Sequence, residues 1–338
     1  MKNQGRPRVL ELCAGAGGQA IGLEMAGFEA AALVEFDKHA CGTLKLNRPE
    51  WDIRHADVKG FDASGFKDVD LVAAGVPCPP FSIAGRQLGE NDERDLFPAA
   101  LKIVAAVQPK AVLFENVRGF ASPKFENYRD RLEAKLKALG YQSDYRVVNS
   151  SDFGVPQLRP RFVWVALRHE YAQHFVWPHP SGEKLTVGGE LEEMLGAKGW
   201  RGAKRWAKGA MKIAPTIVGG SKKHGGPDLG PTRAKREWLA LGVNGAGVAN
   251  EPPSKDQPVD YLPKLTVEMV ARIQGFPPEW KFSGGKTASY RQVGNAFPPP
   301  VAAAIGRQIA LALSKQKQPL LDSRQLPEYA SSLLAPTA

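Results

Sequence analysis

Residues 8–35 read RVLELCAGAGGQAIGLEMAGFEAAALVE. Arg8–Leu12 is a short apolar run of strand character that leads straight into AGAGG. Gly15, Gly17 and Gly18 permit a tight turn and a close backbone approach to a ligand. Ile21–Met25 continues as a helix that Gly27 can end, and Ala30–Glu35 is a second strand. Strand, glycine turn, helix and strand together make one unit of a parallel sheet. A nucleotide-type cofactor can sit at the end of the first strand. Glu35, closing the second, is an acid able to accept hydrogen bonds from ribose hydroxyls. The glycine spacing matches neither GxGxxG nor GxxxxGK. Taken alone, these residues leave open whether the turn holds a cofactor or is only a turn.

The alternation extends outward. Val69–Ala74 is a third strand ending in GVPCPP, Leu96–Val107 a helix stopped by Pro109, and Ala111–Phe114 a fourth strand. Tyr128–Leu139 is a helix closed by Gly140, and Arg161–Leu167 is another strand. The pattern predicts an α/β fold, a doubly wound and mostly parallel sheet with helices on both faces, over residues 1–168. Between 169 and 263 the pattern breaks among Pro178, Pro180, Pro215, Pro227, Pro231, Pro252 and Pro253, which predicts a smaller, irregular, loop-rich domain. Regularity returns at Leu265–Ile273 and Val301–Leu313, so residues 264–320 are expected to complete the first domain, with 321–338 a polar tail.

Composition narrows the class. The 338 residues are 43% hydrophobic and 24% charged, as in a globular chain. Cys13, Cys41 and Cys78 form no CxxC pair, and His39, His55 and His224 show no ligand spacing, so neither a disulfide framework nor a metal is expected. No run of about 18 apolar residues suggests a membrane span, and a cytoplasmic location is expected. The net charge is +10. Between Lys198 and Arg236 stand eleven Lys or Arg residues and one acid, Asp228, an excess equal to that of the whole chain. The positive field therefore belongs to the irregular domain and favours a polyanion, nucleic acid first.

Three further segments carry chemistry. Cys78 follows a strand in GVPCPPFS, where flanking prolines stiffen the backbone; it reads as a nucleophile or as a plain buried thiol. Glu115 also follows a strand, at ENV, and sheet-end loops are where α/β ligands bind. QLRPR holds Gln157, Arg159 and Arg161. Alternation would put the two arginines on one face, to grip phosphate or a base edge, to hold an acid in place, or merely to make a basic surface strand.

With these segments in order, the chain resembles the bacterial cytosine-C5 DNA methyltransferases. ELCAGAGG (11–18), VEFDKHA (34–40), Asp57, GVPCPPFS (75–82), ERDLF (93–97), ENV (115–117), QLRPR (157–161), LTVEMVARIQGFPPEW and YRQVGNAFPPPVA are similar to the family's motifs in the family's order. The matches span about 8–168 and 262–313, and the gap is where the family keeps its target-recognition domain. Glu11, Cys13 and Pro79 depart from the usual aspartate, aromatic residue and glutamine. None removes a group the chemistry requires, although Cys13 bears on cofactor affinity.

The resemblance implies a Rossmann-like methyltransferase fold and S-adenosyl-L-methionine as methyl donor. It places the donor near Leu12, Ala14, Gly15, Gly17 and Gly18, with Glu35 at the ribose, Asp57 near the adenine amine, and Phe36 and Val58 also among the cofactor-binding residues. Pro77, Leu96, Asn295 and Phe297 complete that pocket. It implies that the Cys78 thiolate adds to cytosine C6, that Glu115 contacts N3 and the exocyclic amine, and that Arg159 and Arg161 hold the base. The target base must leave the duplex stack, at a cost of roughly a few kcal/mol. Double-stranded DNA is the expected partner, with Ser82, Gln157, Lys222, Lys223 and Arg233 as DNA-contacting residues. A monomer, paired in function with a restriction endonuclease, is expected. The competing readings are a transfer-RNA cytosine-C5 methyltransferase on the same catalytic fold, a binding protein that keeps the fold without catalysis, and a nicotinamide dehydrogenase, which leaves Cys78, Glu115 and QLRPR without jobs.

Overall fold

The edge of a sheet on which ligands bind is set by strand order. In the computed structural model, which describes residues 5–77, 95–182, 184–219 and 227–315, the described strands are β1 (Arg8–Leu12), β2 (Glu29–Glu35), β3 (Ile53–His55), β4 (Leu71–Gly75), β5 (Ala111–Val117), β6 (Tyr141–Asn149) and β7 (Pro160–Arg168). They form one sheet in the order β3-β2-β1-β4-β5-β7-β6. β1 to β5 run parallel, and β7 and β6 are antiparallel additions at one side. The order reverses between β1 and β4, and such a switch point opens a crevice at the carboxyl ends of the strands. The glycine turn and Gly75 both lie there.

The helices are α1 (Gly18–Met25), α2 (Lys38–Asn47), α3 (Phe97–Val107), α4 (Glu126–Ala138), α5 (His169–Ala172), α6 (Val187–Gly196), α7 (Ala203–Gly209), α8 (Thr232–Leu239), α9 (Val267–Ile273), α10 (Lys286–Asn295) and α11 (Pro299–Leu313). Period-two alternation sorts the strand residues between two layers. Leu71, Ala73, Leu113, Val163 and Val165 pack with Leu23 of α1 and Val301, Ile305 and Ile309 of α11. Val72, Ala74, Val112, Phe114 and Trp164 pack with Phe97, Leu101 and Val104 of α3 and Leu132 and Leu136 of α4. Both faces are covered, as a parallel sheet requires.

α11 returns from far along the chain to lie on α1, and small residues allow it. A Cβ at Gly22 would strike Ala302 and the Pro299 carbonyl, and one at Gly306 would strike Ala26. The close approach of the two helices therefore requires glycine at these positions.

Residues 169–263 are more regular than their prolines suggest. α6, α7 and α8 share an apolar cluster with α9 and α10, including Leu191, Leu195, Trp238, Val270, Tyr290 and Val293. α8 buries Trp238 and presents its basic residues outward, a pattern in which one large anchor replaces an apolar stripe. Also absent from the sequence reading are β3 and β6, α2 and α10. β6 is a polar edge strand whose middle residues are exposed, and β3 has three residues. α2 and α10 are polar and contain Gly42 and Gly294, which lower helix propensity.

Candidate active site

The glycine turn leaves β1 through three left-handed residues, Cys13 (φ 55°), Gly15 (φ 57°) and Gly17 (φ 88°). Positive φ is uncommon for a residue with a Cβ, so Cys13 is a departure in geometry as well as in type. Above Gly15 there is open space. Glu35, at the end of β2, accepts from the backbone N–H of Gly15 (2.7 Å) and of Asp37 (2.6 Å), tying the turn to the neighbouring strand. Asp37 in turn caps α2 through the N–H groups of His39 and Ala40. Phe36 is 71% exposed, an unusual position for a bare aromatic ring and one suited to a flat apolar ligand. Asp57 is exposed, with one carboxylate oxygen taken by Lys59 N–H at 2.9 Å. Val58 is buried beneath it.

The far wall comes from the end of the chain. Asn295 closes α10, exposed and packed against Gly219, and the Phe297 carbonyl touches Gly18 where a Cβ would fall. Leu12 and Ala14 are buried under the turn, and Pro77 and Leu96 are half-buried at the two borders of the undescribed stretch 78–94. An open glycine turn, a ring without cover and two carboxylates at adjacent strand ends fit a nucleoside-bearing cofactor.

Across the switch point, Glu115 sits opposite Gly75 in register on β5 and β4. The Val76 N–H donates to the Glu115 carbonyl (3.1 Å), and the Asn116 side chain donates to the Val76 carbonyl (3.4 Å). The segment leading to residue 78 is thereby fixed beside Glu115. The two antiparallel strands β5 and β7 place Val117 opposite Arg161 and Glu115 opposite Val163, so Glu115 and Arg161 share one sheet face as diagonal neighbours. They form an ion pair, Arg161 Nε to Glu115 Oε1, at 2.9 Å. Both residues are buried. Burial raises the Glu115 carboxyl above the usual carboxylate range, and the Arg161 and Arg159 guanidiniums pull it partly back.

Arg159 and Gln157 occupy places other than those expected. Arg159 is fully buried and donates to the carbonyls of Ile217 (2.6 Å), Gly294 (2.7 Å) and Ala296 (3.0 Å). Its guanidinium joins three distant segments beneath the site. Gln157 was expected to contact DNA, yet it is fully buried. It donates to Gln274 Oε1 (2.7 Å) and accepts from Ile217 N–H (2.8 Å). An amide engaged inside the protein in this way has no surface to offer a duplex.

Cys78, Ser82, Lys222 and Lys223 lie outside the described residues. Arg233 is exposed and pairs with Glu237 one turn along α8 (3.1 Å). The two described thiols are poor nucleophiles: burial pushes Cys13 far up and Cys41 up to about 11, which keeps both protonated and unreactive at neutral pH. Among the described residues no group of His, Cys, Asp or Glu could hold a metal ion. No described helix is long and apolar enough to cross a membrane.

Residues 7–311 match the profile of the C-5 cytosine-specific DNA methylases. The chain belongs to this family. It is similar to the type II methyltransferase M.NaeI of Lentzea aerocolonigenes, 52% identical over 328 residues covering 95% of this chain and 79% of that protein. It is also similar to M.NgoMIV of Neisseria gonorrhoeae, 49% identical over 311 residues covering 91% and 98%. Two solved methyltransferases share its fold: Dnmt2 of S. pombe (TM-score 0.60, 21% identity, 92% and 99% coverage) and EhMeth of Entamoeba histolytica (TM-score 0.66, 14% identity, 93% and 100%). The methylase fold thus accounts for a sheet whose switch point faces the glycine turn on one side and Glu115 on the other.

The sequence reading missed two residues that the site depends on. Gln274 donates to the Ala296 carbonyl (2.7 Å) and belongs to the buried knot with Gln157 and Arg159. Trp280 donates from its indole to the Ala16 carbonyl in the glycine turn (3.1 Å). Both lie in LTVEMVARIQGFPPEW, which resembles a family motif as a whole but singles out neither residue.

Proposed function

We propose that the protein methylates C5 of a cytosine in duplex DNA, with S-adenosylmethionine as methyl donor. The observation that carries this reading is the buried Glu115–Arg161 pair at the mouth of the switch point, fixed beside the strand end that leads into Cys78. Family membership and the type II methyltransferase relatives support DNA over transfer RNA as substrate.

Glu35 would accept from the ribose hydroxyls of the cofactor and Asp57 from its adenine amine, with Phe36 and Val58 beside them. Leu12, Ala14, Gly15, Gly17, Gly18, Pro77, Leu96, Asn295 and Phe297 form the rest of the pocket. The cofactor supplies an electrophilic methyl group on a sulfonium. Cytosine C5 is too weak a nucleophile to take it unaided. The Cys78 thiolate adds to C6 as its sulfur forms a bond there, and the C5–C6 π electrons shift toward the ring carbonyl and N3. Glu115, whose carboxyl burial raises above the usual range, donates a proton at N3 and accepts from the exocyclic amine, so the adduct forms as a neutral enamine with a nucleophilic C5. Arg161 orients Glu115 and stabilises developing negative charge. Arg159 acts one layer below, by fixing the backbone around Ile217, Gly294 and Ala296. C5 then takes the methyl group as that group's bond to the donor sulfur breaks, and N3 returns its proton to Glu115. Loss of the C5 proton to a base lets the C6–sulfur bond break, which restores the C5–C6 double bond and the thiolate.

Phosphate contacts are assigned to Lys222 and Lys223, and further DNA contacts to Arg233 and Ser82. Each lost phosphate contact lowers the salt slope of binding by about one unit. The protein acts as a monomer beside a restriction endonuclease in the cytoplasm.

The test is methyl transfer from labelled S-adenosylmethionine to duplex DNA and to transfer RNA in parallel, with mapping of the product base. Label on C5 of cytosine in DNA, lost in Cys78→Ser, is expected. Label confined to transfer RNA would move the substrate assignment, and full activity of Cys78→Ser would end the covalent mechanism.

A further inference from the structure

The peptide joining Ala16 to Gly17 lies where the glycine turn becomes α1. Gly17 is the N-cap of that helix and offers no side chain for capping, so this peptide's orientation must be held from outside. Two hydrogen bonds hold it. Its N–H donates to the Ala14 carbonyl within the turn (3.1 Å). Its carbonyl, that of Ala16, accepts from the indole N–H of Trp280 (3.1 Å). One anchor is local, and the other comes from a residue 264 positions downstream.

Trp280 is buried, and its ring edge lies against Gly17, where a Cβ would strike both Trp280 and Leu44. The indole is itself held in place. The Arg48 guanidinium lies over the rings of Trp280 (5.4 Å) and Trp51 (5.7 Å) and pairs with Glu24 of α1 at 2.8 Å. Asn47 and Lys281 exchange two hydrogen bonds, of 2.7 and 2.9 Å. A column running from Glu24 through Arg48 to Trp280 thus links α1, α2 and the returning chain to one carbonyl of the turn.

We propose that Trp280 is a positioning residue for the methyl-donor pocket, setting the peptide plane of the glycine turn through the Ala16 carbonyl. The inference rests on the reading of that turn as the cofactor site. It predicts that the cofactor side of the enzyme can be weakened from Trp280 while Glu115 and Arg161, on other strands, are left as they are.

The test uses the full-length protein and the variant Trp280→Phe, which keeps an aromatic ring between Gly17 and Arg48 but removes the N–H. Calorimetric Kd for S-adenosylhomocysteine is expected to rise about three- to tenfold, the range for one lost hydrogen bond. KM for S-adenosylmethionine should rise in parallel, with kcat at saturating cofactor and Kd for duplex DNA unmoved. If Trp280→Phe does not fold, Arg48→Met is measured in its place. That variant keeps the indole N–H but removes the cation between the rings, and a rise in Kd of about two- to fivefold is expected. A folded Trp280→Phe that binds S-adenosylhomocysteine as tightly as wild type would overturn the proposal and leave the cofactor reading standing. So would a fall in kcat and melting temperature with Kd unchanged, which marks a purely structural residue. An unchanged Kd in Arg48→Met, where that variant has to be used, overturns it equally. Failure of the wild type to bind either cofactor form would instead overturn the cofactor reading, and this inference with it.

Discussion

Glu35 closes β2 and Glu115 lies two residues before the end of β5, near the same edge of the sheet, and their surroundings differ in kind. Glu35 is half-buried beside an open glycine turn, and both of its oxygens take backbone N–H groups. Glu115 is buried and faces a buried guanidinium, and its carboxyl is pushed upward. A carboxylate surrounded by N–H donors is fixed as an acceptor, suited to ligand hydroxyls. One that is desolvated and only partly compensated can hold a proton and hand it on. The sheet thus separates a binding acid from a proton-donating acid by environment alone, and each can be removed independently.

The largest effect should follow from removing the proton donor. Glu115→Gln keeps the shape of the side chain and its contact with Gly75, but it cannot deliver a proton to N3. The rate of methyl transfer should fall by about 10²–10⁴-fold, the usual contribution of a general acid. Affinity for S-adenosylhomocysteine should stay at the wild-type value. A variant that lost cofactor affinity as well would break the separation between the two acids.

Arg161→Met comes next. It removes one partner of a buried pair and leaves Glu115 uncompensated, which in other buried pairs costs about 3–5 kcal/mol. Denaturant unfolding should show a loss of that order at neutral pH, with a smaller loss in acid, where Glu115 is neutral. An equal loss at both pH values would mean that Arg161 contributes through packing, not charge.

Glu35→Ala should have a smaller effect, confined to the other side. It removes hydrogen bonds to a charged acceptor, worth about 1.5–3 kcal/mol each, and releases the Gly15 N–H. Cofactor Kd should rise about ten- to a hundredfold, with the protein folded. Unchanged affinity would refute the ribose assignment.

How far the sequence disclosed this arrangement depends on the distance over which each group is held. Glu35 and Glu115 were legible because each stands at the end of an apolar run of strand character, although β5 continues two residues past Glu115. The shared face of Glu115 and Arg161 required the register of β5 and β7, which the antiparallel pairing supplies and a local pattern does not. The buried positions of Arg159 and Gln157 were not legible for a related reason. Polar residues next to a strand look solvent-facing until tertiary packing brings the carbonyls of Ile217, Gly294 and Ala296 to them. Trp280 stood in a quoted motif, but its role was not legible because its partner is a backbone carbonyl, which carries no side-chain signal. The polar elements β6, α2 and α10 went unread because their stability comes from neighbours and not from an apolar stripe.

The finest discrimination between the acids is in pH dependence, with Glu11 as reference. Glu11 is buried on β1, its carboxyl oxygens without hydrogen-bond partners. Burial raises it well above the usual range; the Gln19 amide, near it but outside ordinary hydrogen-bond geometry, opposes this, and Glu35 adds to it. Glu115 is raised by burial too, but its arginines oppose the shift. An unfolded glutamate titrates near about 4.3. Between that pH and the folded value, the native state retains a proton that the unfolded chain has released. More protons bound in the native state mean that stability falls as pH rises. Each contribution is therefore complete below the unfolded value and is lost as pH rises through the folded one, with a slope of at most about 1.4 kcal/mol per pH unit for one proton. Glu11→Gln removes such a contribution without orphaning a cation. Its stability should decline less than the wild type's between acid and neutral pH, leaving the variant relatively more stable at neutral pH. Glu115→Gln should flatten the curve less, because its arginines already oppose the shift and lose their counter-charge. Chemical unfolding at a series of pH values reads both slopes. Equal flattening in the two variants would show that Arg161 and Arg159 do not compensate Glu115, and the contrast between a paired and an unpaired buried acid would have to be abandoned.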